Sequence, residues 1–150
     1  MKSGVPSIEL FSGAGGLALG LEHAGFQHVA LMERDPNACN TIQLNAGKED
    51  DRDRWRLFQG DVRSVSYSEV AGTAVDLVAG GPPCQPFSMG GKHRGHRDER
   101  DLFPEAVRAV RELAPRAFVF ENVRGLLRPA FSNYLQYVLL QLSYPDLARD

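Results

Sequence analysis

The chain reads as an α/β protein with a mostly parallel, doubly wound sheet, and three observations predict this. Short apolar runs suited to buried strands alternate with segments of helical periodicity. No internal repeat or low-complexity segment interrupts the alternation. The first strand also passes through a glycine-rich turn directly into a helix. Strands joined through helices pair in parallel and carry helices on both faces of the sheet.

Each element has its own justification. Ser7-Ile8-Glu9-Leu10-Phe11 is the first strand, and residues 17–24 form a short helix that Gly25 stops. His28-Val29-Ala30-Leu31-Met32 is the second strand. Asp35 caps the next helix, with Pro36 at its first position, where the missing amide donor costs nothing. Residues 47–56 are charged and loop-like. Leu57-Phe58, the turn Gly60-Asp61 and a weak helix over 66–71 follow. Val75-Asp76-Leu77-Val78-Ala79 is a buried strand, too short for a helix. Residues 102–113 place Leu102, Ala106, Val107, Val110 and Leu113 near one helical face. Ala117-Phe118-Val119-Phe120 is a continuous apolar strand. A last helix over 132–142 ends before Tyr144-Pro145.

Composition bounds the function. With 150 residues, 43% hydrophobic and 24% charged, the chain has material for one folded unit with a core. It has neither the long uncharged apolar span of a membrane helix nor a basic segment followed by a hydrophobic signal core, so a cytoplasmic location is expected. Its two cysteines, Cys39 and Cys84, are expected to be free thiols in a reducing compartment, and they form no zinc pattern. Cys39, on a helix face, is expected in or near the core. The formal net charge is −2, but its distribution is uneven. Residues 1–91 carry 7 basic and 11 acidic side chains, and residues 92–128 carry 9 and 6. Lys92, Arg94, Arg97 and Arg100 could form a stripe facing phosphates; Asp98, Glu99 and Asp101 partly cancel it, which leaves a solvated loop as the alternative.

Chemistry concentrates where strands end, since ligands in open α/β sheets bind at the carboxyl edge. The run Gly80-Gly81-Pro82-Pro83-Cys84-Gln85-Pro86-Phe87-Ser88 places a thiol in a turn whose prolines fix φ and remove donors. Such order suits a nucleophile. The first turn, Phe11-Ser12-Gly13-Ala14-Gly15-Gly16-Leu17-Ala18, has the spacing G-x-G-x-x-A between strand and helix, so its backbone can approach a ligand and the helix can present free amides. Glu33, twenty positions on at the end of the second strand, could hold ribose hydroxyls. A tight turn without a ligand is the alternative, and the turn does not separate a dinucleotide from an adenosine-bearing methyl donor. Asp61 could accept from an adenine amino group, although Asp after Gly is ordinary turn chemistry. Glu121 ends a very apolar strand on the same edge as Cys84, so it has reason to keep its proton and donate it. A pairing of Glu121 with Arg124 is the alternative.

These motifs together resemble the DNA cytosine-5 methyltransferases. Glu9-Leu10-Phe11-Ser12-Gly13-Ala14-Gly15-Gly16-Leu17 is similar to the family's donor loop, Met32-Glu33-Arg34-Asp35 to its second motif, and Gly60-Asp61-Val62 to its third. The loop Gly81-Pro82-Pro83-Cys84-Gln85-Pro86-Phe87-Ser88 is similar to its nucleophile loop. Asp101-Leu102-Phe103 and Phe120-Glu121-Asn122-Val123 resemble the next two, in the family's order. The likeness runs from about Ser7 to Leu127.

The resemblance implies a Rossmann-like fold that uses S-adenosylmethionine and methylates double-stranded DNA, with a restriction-modification setting. It implies that Cys84 adds to C6 of a flipped-out cytosine, so that C5 can take the methyl group while Glu121 holds N3. It implies a donor site made of Phe11, Ser12, Gly13, Ala14, Gly15, Gly16, Glu33, Arg34, Asp61, Val62, Pro83 and Leu102. DNA contacts fall to Gln85, Ser88, Lys92, Arg94 and Arg97, and no metal is expected: His93 and His96 lack further ligands.

The carboxyl-terminal side departs from the family. Its Gln-x-Arg-x-Arg segment, target-recognition domain and returning helix are missing, so residues 1–150 are expected to form the amino-terminal part of a catalytic domain. The sheet is expected to be incomplete there, with an open apolar edge beside Phe118 to Phe120. The fragment is expected to be inactive alone and to need a complementary carboxyl-terminal polypeptide. A nonenzymatic remnant or DNA-binding regulator is the alternative, and a nicotinamide-dependent oxidoreductase is a more distant one.

Overall fold

The computed structural model describes residues 4–46, 55–83 and 101–147. Five strands, β1 (Val5–Leu10), β2 (Phe26–Glu33), β3 (Leu57–Gln59), β4 (Leu77–Gly80) and β5 (Ala117–Phe120), form one sheet in the order β3-β2-β1-β4-β5. All four pairings are parallel. The helices are α1 (Gly16–His23), α2 (Pro36–Asn45), α3 (Tyr67–Ala71), α4 (Phe103–Leu113) and α5 (Ser132–Ser143). The expected α/β architecture is therefore present, with β1 and β4 flanking the point where the strand order reverses.

Alternation along the strands sorts the two faces. Ile8 and Leu10 of β1, Ala30 and Met32 of β2, and Val78 of β4 point into the main core, which Tyr67, Phe103, Val107, Val110, Val138 and Leu142 complete from α3, α4 and α5. Leu31 points the other way and packs with Ala18 of α1, Ile42 of α2 and Trp55. The period of two in a strand dictates this division. On the α1 side, Ser7 Oγ lies 3.0 Å from His28 Nδ1, and His28 Nε2 donates to the Ala18 carbonyl at 2.9 Å. Two strands and a helix are joined by that one buried imidazole.

Several boundaries differ from the sequence expectation. β1 ends at Leu10, and Phe11 turns out of the strand with φ 57. β4 begins at Leu77, two residues late; Val75 is nonetheless buried, which is what its apolar character reported. Asp35 caps α2 as expected, accepting from the amides of Asn37 and Ala38. Cys39 is buried in the core, its Sγ 3.5 Å from the Glu33 carbonyl. Short 3-10 turns at Val62–Ser64, Arg124–Leu127 and Pro129–Phe131 have no counterpart in the expectation. Among the described residues, no helix is long and apolar enough to cross a membrane.

β5 lies at the sheet edge among the described residues, and Phe118 and Val119 are 40% and 48% exposed. Among the described residues, this is the open apolar edge expected there. Glu121, expected in apolar surroundings, is exposed at the end of this strand.

Candidate active site

The glycine turn after β1 is tied to the end of β2. Ser12 N donates to the Met32 carbonyl at 3.1 Å, Gly15 N to the Ser12 carbonyl at 2.9 Å, and Gly13 N to Glu33 Oε2 at 2.8 Å. Glu33 Oε1 accepts from the amides of Arg34 and Asp35, each at 2.7 Å. The carboxylate is thereby fixed between the turn and the start of α2. Gly15 takes φ 86, and a Cβ there would stand 3.2 Å from the Trp55 ring, so both backbone and packing demand glycine. Gly13 takes φ 54 but faces open space, which leaves room for a ligand. No side chain caps α1.

Phe11, Glu33, Arg34, Asp61, Val62, Pro83 and Leu102 line one cavity, joined by Met32 and Gly60. Every residue of the expected donor site outside the glycine turn is thus brought together, and Ser12, Gly13, Ala14, Gly15 and Gly16 form the turn that Glu33 links to the cavity. Met32 and Gly60 escaped the sequence reading of roles, although each sits inside a quoted motif. Asp61 is gripped by Arg63, whose Nη2 donates at 2.6 Å and whose Nε donates at 3.0 Å. The Arg63 hydrogen bonds, with help from Arg34, hold the Asp61 carboxyl down to about 2. It is an anion at every pH of interest.

A second buried carboxyl lies at the root of the turn. Glu9 is 1% exposed, its carbonyl accepts from Ser12 Oγ at 3.2 Å, and its Oε2 has no hydrogen-bond partner among the described residues. Desolvation pushes its carboxyl up to about 8. The sequence hid this feature inside an apolar strand. Glu33 already accepts from the Gly13 amide, one of the backbone donors a ligand at the turn would use.

The other half of the site is the junction of β4 and β5. Glu121 N donates to the Gly80 carbonyl at 2.9 Å, and a Cβ on Gly81 would stand 3.4 Å from Glu121 Oε2. Asn122 Nδ2 donates to the Pro82 carbonyl at 2.8 Å. A Cβ on Gly80 would collide with the Leu10 carbonyl, so glycine is what lets β4 approach β1 there. Arg124 does not occupy Glu121: ion pairs among the described residues join Arg34 and Arg63 to Asp61, Arg108 to Glu105 and Glu112, and Arg116 to Asp76. Cys84, Gln85, Ser88, Lys92, His93, Arg94, His96, Arg97 and Arg100 lie outside the described residues.

A parallel sheet with this strand order, a glycine turn, an acidic residue closing β2 and a lined cavity at the switch point define the class of S-adenosylmethionine-dependent methyltransferase folds. The profile of C-5 cytosine-specific DNA methylases matches residues 5–144, and the chain belongs to that family. It is 51% identical over 137 residues to the type II methyltransferase M.NgoMIV of Neisseria gonorrhoeae, covering 91% of this chain and 41% of that protein. It is 48% identical over 120 residues to the type II methyltransferase M.PspPI of Psychrobacter sp. strain TA137, covering 79% of this chain and 27% of that one. Among solved structures, one described as a DNA modification methyltransferase encoded within an E. coli prophage superposes with a TM-score of 0.76 at 32% identity, covering 93% of this chain and 38% of that one. The chain therefore spans less than half the length of these relatives.

Proposed function

We propose that this chain supplies the donor-binding and catalytic part of a DNA (cytosine-5-)-methyltransferase, that it acts on double-stranded DNA, and that it needs a carboxyl-terminal complement for turnover. One observation carries the reading. Pro82 is bonded to Asn122 beside Glu121 while Pro83 lines the donor cavity, so the two residues before Cys84 bridge the acid and the methyl-donor wall.

When bound, S-adenosylmethionine supplies an electrophilic methyl carbon on its sulfonium. Glu33, at the cavity wall, attracts that cation. Phe11, Val62 and Leu102 offer apolar walls to the adenine, and Glu33 has lone pairs left for ribose hydroxyls. Cys84, as thiolate, forms a bond from sulfur to C6 of an extruded cytosine, and the C5–C6 π electrons become available at C5. Glu121, in its acid form, donates to N3 and offsets the charge that develops on the ring. C5 then bonds to the methyl carbon as the carbon–sulfonium bond breaks. Loss of the C5 proton to solvent base and cleavage of the S–C6 bond restore the aromatic ring and return the thiolate. Basic residues after Cys84, Lys92, Arg94 and Arg97 among them, hold phosphates together with Gln85 and Ser88.

The test is transfer of labelled methyl from S-adenosylmethionine to duplex DNA by this chain mixed with a carboxyl-terminal complement taken from a relative. Transfer is expected with the complement and absent without it. Unchanged transfer by Cys84→Ala would exclude the covalent mechanism. Absence of transfer in every combination would leave the nonenzymatic alternative as the better account.

A further inference from the structure

Arg108 lies in the middle of α4, facing the loop that carries Asp61 and Val62. Its Nη2 donates to the Val62 carbonyl at 2.8 Å and its Nη1 to the Val65 carbonyl at 2.9 Å. The Val62 carbonyl also accepts from Val65 N at 3.2 Å, closing the short 3-10 turn, so the guanidinium grips both the first carbonyl of that turn and the carbonyl that follows it. The guanidinium is aimed by two carboxylates on its own helix. Glu105 Oε2 accepts from Nε at 2.8 Å and from Nη2 at 2.6 Å, and Glu112 Oε1 accepts from Nη1 at 2.6 Å. The buried Tyr67 ring lies beneath it, 4.3 Å from the guanidinium carbon to the centroid, and Tyr67 N is held by Glu112 Oε2 at 3.0 Å. Five donors in a rigid fork serve this arrangement; a lysine could not.

The consequence lies at the cavity. Val62 forms one wall, and Leu102, at the start of the helix that carries Arg108, forms another. The two walls come from segments about forty residues apart, and the guanidinium ties them together. We infer that Arg108 is a positioning residue for the donor cavity: it fixes the spacing between the Val62 and Leu102 walls and so sets affinity for the adenine end of an adenosyl ligand. This rests on the reading of the cavity as an adenosyl site. Arg108 acts through the Val62 carbonyl and touches no ligand itself.

The experiment titrates S-adenosylmethionine and 5′-methylthioadenosine, which keeps the adenosyl group but lacks the amino acid, into the full chain by calorimetry at low temperature. The proteins are wild type, Arg108→Met, Arg108→Lys and Leu142→Ala. The last loses core packing on α5, away from both walls, and reports what destabilisation alone does. Both Arg108 variants are expected to weaken the two ligands by the same factor, about tenfold or more, as follows from losing hydrogen bonds to a charged group. Leu142→Ala is expected to melt earlier and bind as wild type does. In wild type, by reciprocity, either ligand should slow solvent exchange of the Arg108 Nε proton, a readout that requires no variant to fold. Folded Arg108 variants with wild-type affinity, an equal loss in Leu142→Ala, or an Arg108 proton indifferent to ligand would each overturn the inference alone. A wild-type chain that binds neither compound would overturn the adenosyl reading itself.

Discussion

Asn122 donates its side-chain amide to the Pro82 carbonyl across 2.8 Å, fastening the segment that enters the nucleophile loop to the strand that delivers Glu121. Proline supplies only a carbonyl at such a junction, so an amide donor from the neighbouring strand is what the geometry calls for. Asn122→Asp keeps the size and removes the donor. In the complemented assay, methyl transfer should fall by up to about 100-fold, the scale of a small misplacement of reacting groups. Affinity for S-adenosylmethionine should hold. A variant that loses donor affinity and keeps its rate would contradict this role.

Gly13 and Gly15 share a left-handed backbone but differ in surroundings. Gly15→Ala adds a clash with Trp55 to backbone strain, and should cost about 2–4 kcal/mol in urea unfolding. Gly13→Ala meets no protein atom, so its stability cost should stay near the strain alone, about 1–2 kcal/mol. Its larger effect should appear in donor titration, because the new methyl group would enter the space left for a ligand.

Glu9 makes stability depend on pH in the alkaline direction. Its carboxyl ionises near 8 in the folded chain against 4.5 in the unfolded one, so between those values the folded state holds a proton that the unfolded state has lost. Stability should therefore decline as pH rises through that window, by a total on the order of 5 kcal/mol. Glu9→Gln should flatten the decline. Urea midpoints measured from pH 5 to pH 8.5 would show it, and parallel curves for the two proteins would refute it.

His28 works in the opposite sense. Burial lowers its imidazole below the usual 6.5, outweighing the hydrogen bond to Ala18 and the charge of Glu22. The unfolded state takes up this proton first, so stability should fall as pH drops below about 6.5. Ser7→Ala leaves Nδ1 without its donor and should cost about 1–3 kcal/mol at pH 7 in thermal or urea unfolding.

Much of this was legible beforehand for physical reasons. Apolar runs of four to five residues bounded by turn residues are too short for helices and read as strands, and Asp35-Pro36 reads as a helix start. β5 was placed to the residue because Phe118 and its neighbours are apolar without interruption. Other features depend on contacts that no local pattern encodes. Arg108 meets its carbonyl partners 43 and 46 residues away, so the sequence shows only an arginine on a helix. Glu9 looks like an outward-facing strand residue until the α1 layer covers it. The exposure of Glu121 was not legible either, because the sequence showed only its apolar flanks. The 3-10 turns between Arg124 and Phe131 are too short for any period to declare them.

Phe11 holds a left-handed conformation that an aromatic residue adopts at a cost of about 1–3 kcal/mol, and its ring lines the donor cavity. An engineer who sought heat resistance through Phe11→Gly would trade relief of that strain against the lost packing of the ring on the main core. The same exchange would strip an aromatic wall from the cavity. Screens for this scaffold should therefore score ligand retention alongside melting temperature, since durability selected by itself would erode the site.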